Sequence, residues 1–135
     1  MAERFEKTLT LEDLRKKIAA FADERNWNQY HTPRNLLLAM TGEVGELCEC
    51  FQWRGDNDQN PDAWTAAERE HLGEELSDVL IYLIRLADKC NVDLPAAALD
   101  KIKKNAIKYP AAVCIVQVQG SSLKYTTYET TQEKK

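Results

Sequence analysis

The stretch that decides the fold is MTGEVGELCECFQW, residues 40–53, together with its counterpart HLGEELSDVLIYL, residues 71–83. Each stretch contains two carboxylates with spacing i, i+3, which in a helix lie on one face and one turn apart. An apolar stripe accompanies each pair, so two helices packed along these stripes would bring four acidic side chains together. The four carboxylates are Glu43, Glu46, Glu75 and Asp78.

Helical periodicity of the apolar residues continues outward from these stretches and predicts four helices of roughly 14 to 22 residues. A Thr or Asp that can serve as N-cap precedes each predicted helix. The predicted helices, caps included, run from Thr10 to Arg25, from Thr32 to Trp53, from Thr65 to Cys90 and from Asp93 to Tyr109. Residues 54–64 form a loop by composition. The expected fold is therefore all-α, a four-helix bundle.

A chain of 135 residues suggests one domain. We expect it to span residues 10–110, between a flexible N-terminus at 1–9 and a divergent tail at 111–135 that contains a short β-like run. One copy of this size has a limited hydrophobic core. The apolar stripes are therefore expected to pack across a homo-oligomer.

Composition excludes several classes of protein. The formal net charge of −4 argues against a surface that coats nucleic acid. No apolar run is long enough to span a membrane, and the N-terminus lacks the apolar core of a signal peptide, so the cytosol is the expected location. Four cysteines without a C-x-x-C pair, and only two histidines, indicate reduced thiols rather than a zinc site. The cysteines are Cys48, Cys50, Cys90 and Cys114.

The carboxylate pairs point to a metal site, because clustered like charges need cations. Oxygen ligands without paired His or Cys suit Mg²⁺, with Mn²⁺ as an alternative. A di-iron bundle would need Glu-x-x-His twice, and the chain contains it once, at Glu68 and His71. The competing interpretation is a solvated acidic face, since exposed helices are rich in Glu.

Aromatic side chains accompany the acidic residues and could form a stacking wall for a nucleobase. Core packing is the competing interpretation for each of them. His31 could donate to a base or phosphate, or could be structural. Asn105 and Lys108 share one helix side with Lys101 and could hold phosphate oxygens, although a lysine row is often only solvated. The aromatic residues are Trp27, Tyr30, Trp53 and Tyr82.

Four segments carry a resemblance to a known family: TLEDLRKKIAAFADERNW, PRNLLLAMTGEVGELCECFQW, EELSDVLIYLIRLADKCNVDLP and NAIKYPA. Over residues 10–110 the chain resembles the MazG-like, all-α nucleoside triphosphate pyrophosphohydrolases, and among them the eukaryotic branch that acts on dCTP. Members carry E-x-x-E followed, after a spacer, by E-x-x-D. Close vertebrate members have His at the position of Ile18, which cannot form a hydrogen bond to substrate.

The resemblance implies hydrolysis of dCTP or a related nucleotide to the monophosphate and pyrophosphate. It also implies Mg²⁺ on the four carboxylates and a homotetramer built as a dimer of dimers. Two alternatives stay open, a pyrophosphohydrolase with another base preference and a non-catalytic helical scaffold. The substrate-binding residues that the resemblance implies are Trp27, Gln29, Tyr30, His31, Trp53 and Tyr82.

Overall fold

The computed structural model describes residue 5 and residues 8–55 and 63–109. Within them the chain forms four α-helices and a short 3₁₀ helix, so the prediction of an all-α fold is confirmed. The predicted tail strand and the middle of the loop lie outside the described residues. In order, the helices are α1 (Leu11–Glu24), the 3₁₀ helix (Trp27–Gln29), α2 (Pro33–Gln52), α3 (Ala66–Lys89) and α4 (Leu94–Lys108).

The helix starts follow from local side-chain chemistry, as the sequence predicts. Thr10 and Thr65 each form a capping box, with Asp13 and Glu68 respectively, and so satisfy backbone N–H groups that the helix leaves free. α3 ends with Asn91 in the left-handed region at φ 54°. There the N–H of Val92 donates to the carbonyl of Ala87 at 2.9 Å, a Schellman-type stop.

The main helix interface lies between α2 and α3, and α1 packs against α3. Several residues of the predicted apolar stripes are buried or half-buried, but α3 also buries part of its polar row. Glu75 is 7% exposed and Arg85 4%, whereas Leu76 on the predicted stripe is 52% exposed. The predicted stripe of α2 is also open in part, since Val44 remains 42% exposed. A single copy therefore leaves apolar faces of α2 and α3 uncovered.

Every residue of α4 after Leu94 is exposed, so this helix has little contact with the other helices that the structure describes. Its apolar side chains include Leu99, Ile102 and Ile107, with exposed fractions of 61%, 64% and 83%. Apolar surface on this scale is typical of a face that packs against another surface.

Both ends of the loop between α2 and α3 are held by one aromatic cluster. Trp64 is 4% exposed and packs on Phe51, with ring centroids 5.2 Å apart. The guanidinium of Arg54 lies 4.0 Å from the Trp64 ring and pairs with Glu68.

Among the described residues, no helix is long and apolar enough to cross a membrane. The predicted domain limits and cytosolic location stay predictions.

Candidate active site

Three carboxylates from α2 and α3 converge at the centre of the α2–α3 interface. Each of Glu43, Glu75 and Asp78 offers an oxygen within 4.8 Å of the others. The i, i+3 spacing in α3 puts two of these groups on one face, and α2 supplies the third. Glu46, the fourth predicted member, lies outside this group and is exposed, although it is close enough to affect the charge on Glu43.

The electrostatics of this acidic cluster fit a divalent cation. Burial, together with the charges of Asp78, Glu46 and Glu75, raises the pKa of Glu43 above its ordinary range. Atom Oε2 of Glu75 is buried without a hydrogen-bond partner among the described residues, an arrangement that costs free energy unless a cation or water compensates it. Its other oxygen lies 3.4 Å from His71 Nδ1. The cluster therefore has the donor set and the unmet charge of a metal site.

An aromatic cavity of about 360 Å³ lies beside the acidic cluster. It combines ring faces for stacking with polar groups at its edge. Its lining residues are Trp27, Tyr30, His31, Asn35, Leu36, Ala39 and Tyr82. The segment from the 3₁₀ helix to His31 supplies three of these side chains, and the rings of Trp27 and His31 are 6.0 Å apart.

Helix geometry fixes the spacing between the cavity and the acidic cluster. Ala39 precedes Glu43 by one turn of α2, and Tyr82 follows Asp78 by one turn of α3. Burial and the charges of Glu43 and Asp78 raise the pKa of the Tyr82 hydroxyl. A ligand with a flat ring and an anionic chain could therefore occupy both at once.

Four of the predicted substrate-binding residues, Trp27, Tyr30, His31 and Tyr82, meet in this cavity. The other four do not line it. The side chain of Gln29 donates to the Asn26 carbonyl at 3.1 Å, and Trp53 is 88% exposed at the C-terminal end of α2. At 1.5 Å per residue, Trp53 lies about 21 Å along the helix from the cavity. The remaining two, Asn105 and Lys108, are on helix α4.

Two polar residues of the site, Asn35 and Arg85, were missing from the residues predicted for it. Asn35 lines the cavity, and its side chain donates to the Tyr30 carbonyl at 2.9 Å. The i, i+4, i+8 series Asn35, Ala39, Glu43 could have revealed it, because these positions share one face of α2. Arg85 donates to His31 Nδ1 at 3.3 Å across 54 positions of sequence, a contact that no local pattern signals.

Comparison with known proteins places this arrangement in a family. The sequence profile of the MazG-like family matches residues 39–113, which include both carboxylate pairs and Tyr82. The chain belongs to the MazG-like family. The resemblance inferred from the sequence is thereby confirmed.

Curated relatives extend the comparison beyond the family profile. The chain is 54% identical over 123 residues to dCTP pyrophosphatase 1 of Mus musculus, covering 91% of this chain and 70% of the relative. It is 56% identical over 117 residues to dCTP pyrophosphatase 1 of Homo sapiens, covering 87% of this chain and 66% of the relative. The chain thus spans about two thirds of the length of these relatives.

A solved structure supports the fold. The crystal structure of a pyrophosphatase from Archaeoglobus fulgidus superposes on this chain with a TM-score of 0.68 at 34% identity. The superposition covers 82% of this chain and 99% of that one. The four-helix MazG-like architecture is therefore shared with a solved pyrophosphatase.

Proposed function

We propose that the chain is a metal-dependent nucleoside triphosphate pyrophosphohydrolase that cleaves dCTP to dCMP and pyrophosphate. The observation that carries this proposal is the juxtaposition of the acidic cluster and the aromatic cavity, one helical turn apart. A nucleotide has the matching shape, with a flat base at one end and a polyanion at the other. The relatives named for activity on dCTP support this choice of base.

The residues divide into two roles. Glu43, Glu46, Glu75 and Asp78 would hold Mg²⁺, or Mn²⁺ in its place. Such a cation neutralises the charge on the triphosphate and on the departing pyrophosphate.

The chain's own groups then bind and orient the nucleotide. Trp27, Tyr30 and Tyr82 stack against the nucleoside and exclude water from it. One of the glutamates of the acidic cluster, or the metal, would activate the water that attacks the α-phosphorus in line. The bond between the α-phosphorus and the bridging oxygen breaks, and pyrophosphate leaves.

We further propose that the site is completed in a homo-oligomer, a tetramer built as a dimer of dimers. Within one copy, Trp53, Asn105 and Lys108 are exposed and do not line the cavity. A neighbouring copy could deliver them while covering the apolar faces of α2, α3 and α4. This arrangement would give Trp53 and Lys108 the substrate contacts that the sequence predicts.

The function is tested by incubating the purified full chain with each of the four dNTPs, with and without Mg²⁺. We expect Mg²⁺-dependent formation of pyrophosphate and dCMP, faster from dCTP than from the other three. The same products with a different order of rates among the dNTPs would support the proposed reaction but contradict dCTP as the preferred substrate. Absence of any nucleotide cleavage, with no nucleotide-induced rise in melting temperature, would favour the non-catalytic scaffold.

A further inference from the structure

A buried arginine lies behind the aromatic cavity without lining it. Arg85 is 4% exposed, and its guanidinium makes three hydrogen bonds to three different partners. Nη1 donates to Asp88 at 2.7 Å, Nη2 donates to Asn28, and Nε donates to His31 Nδ1 at 3.3 Å. Because a guanidinium is planar and rigid, these bonds fix its orientation.

The contact with His31 determines which ring nitrogen carries the proton. Arginine has five N–H donors and no acceptor, so His31 Nδ1 must present its lone pair to Arg85. In the neutral imidazole the proton then resides on Nε2. Burial and the charges of Arg85 and Lys89 lower the pKa of His31, which keeps the ring neutral at physiological pH.

His31 lines the cavity. Among the described residues its side chain is hydrogen-bonded to Arg85 through Nδ1, and Nε2 has no such bond. We propose that Arg85 is a positioning residue that holds His31 as the Nε2–H tautomer, so that the cavity offers one hydrogen-bond donor to an acceptor atom of the bound nucleotide. This inference rests on the proposed function for the identity of the ligand. The acceptor belongs either to the nucleoside or to the phosphate chain.

The other two partners of Arg85 each have a second cation. Asp88 also accepts from Arg15 Nη1 at 2.9 Å, and Asn28 Oδ1 also accepts from Lys89 Nζ at 3.0 Å. Loss of the guanidinium therefore leaves Asp88 and Asn28 paired and deprives His31 alone of its partner. This redundancy makes Arg85→Met an informative variant that retains most of the surrounding contacts.

The tautomer can be read directly from the ¹⁵N chemical shifts of the histidine side chains. The chain contains two histidines, so His71→Gln assigns the signals of His31. In the unmodified chain at about pH 7.5 we expect a protonated-type Nε2 and an unprotonated-type Nδ1. In Arg85→Met we expect a mixture of both tautomers. Lys89→Met, which removes a neighbouring charge but no bond to His31, should keep the original pattern.

Kinetics with dCTP separate positioning from general support of the fold. Arg85→Met should raise KM about 3- to 10-fold with kcat nearly unchanged, the effect of losing one hydrogen bond to substrate. Lys89→Met should change neither constant more than about twofold. In a His31→Leu background, Arg85→Met should add no further rise in KM, because Arg85 acts through His31.

Competitive inhibitors identify the acceptor. If it belongs to the nucleoside, His31→Leu weakens inhibition by deoxycytidine, and if it is a phosphate oxygen, the same variant weakens inhibition by inorganic tripolyphosphate. The proposal would be overturned if His31→Leu weakened inhibition by neither compound. An unchanged His31 tautomer in Arg85→Met would overturn it as well. Because the NMR measurement needs no turnover, failure of the proposal is distinguishable from failure of the proposed activity.

Discussion

At the scale of one residue, Glu75 has a feature that costs folding stability and that a bound cation would compensate. Its side chain is almost fully buried, and one carboxylate oxygen has no described hydrogen-bond partner. A fold optimised for stability would pair or replace such a group. The neighbouring Glu43 and Asp78 increase the repulsion, so the cluster is expected to be strained until a cation binds.

Removing one charge should therefore stabilise the metal-free protein. We expect Glu43→Gln to raise the melting temperature in EDTA by about 2–5 °C, because it relieves repulsion at a partly buried position. The same variant should lose most of the stabilisation that Mg²⁺ gives the unmodified chain. Differential scanning calorimetry with and without Mg²⁺ measures both effects. A lower melting temperature in EDTA would show that Glu43 has a stabilising partner instead.

His31 predicts how folding stability depends on pH. The fold lowers the pKa of this imidazole below its ordinary value of 6.5, so on acidification the unfolded chain takes up a proton before the folded chain does. The free energy of unfolding should therefore fall as the pH decreases through about 6.5, until the folded pKa is reached. Urea denaturation at several pH values between 7.5 and 5 measures this free energy of unfolding. The decline should be shallower in His31→Leu, and an equal decline in both proteins would contradict the prediction.

At the scale of elements, local chemistry determines where helices begin. Thr65 Oγ1 accepts from the Glu68 N–H at 3.2 Å, and the Thr65 N–H donates to the Glu68 carboxylate at 2.7 Å. Thr65→Ala removes the first of these bonds at the start of α3. It should cost about 1 kcal/mol in the free energy of unfolding.

The matched control is Thr41→Ala, inside α2, where the hydroxyl donates to the Leu37 carbonyl at 2.9 Å. Because Ala is the better helix former, this variant should change stability by less than about 0.5 kcal/mol or increase it. Urea denaturation compares the two. Equal losses from both substitutions would mean that the cap contributes nothing specific.

Helix ends and the acidic pairs were predictable from sequence because their determinants lie within four residues of one another. The rotation of α3 about its own axis was not predictable, because helical periodicity identifies an apolar stripe but does not tell which side of the helix faces α2. The polar row with Glu75 and Arg85 faces inward, and Leu76 stays exposed. The contact between Arg85 and Asn28 spans 57 positions, so only the packed structure reveals it.

At the scale of the whole molecule, the exposed apolar side of α4 is the observation that supports the proposed homo-oligomer. Ile102→Asp should dissociate the oligomer by placing a charge in the covered face, and it should lower activity if neighbouring copies complete the site. Lys103→Asp, at the adjacent exposed position, is the control and should retain the assembly. Light scattering after gel filtration measures the mass. A monomeric unmodified chain would contradict the proposed homo-oligomer.

The most direct test of the account is the activity of Glu75→Gln towards dCTP in the presence of Mg²⁺. Glutamine keeps the size of the side chain and removes the charge on which the metal site depends. We predict that kcat/KM falls by about 10²-fold or more, while circular dichroism and molecular mass stay unchanged. Glu49→Gln, on an exposed position of α2, should retain normal activity. Normal hydrolysis of dCTP by a folded, assembled Glu75→Gln protein would contradict the assignment of the acidic cluster as the catalytic metal site.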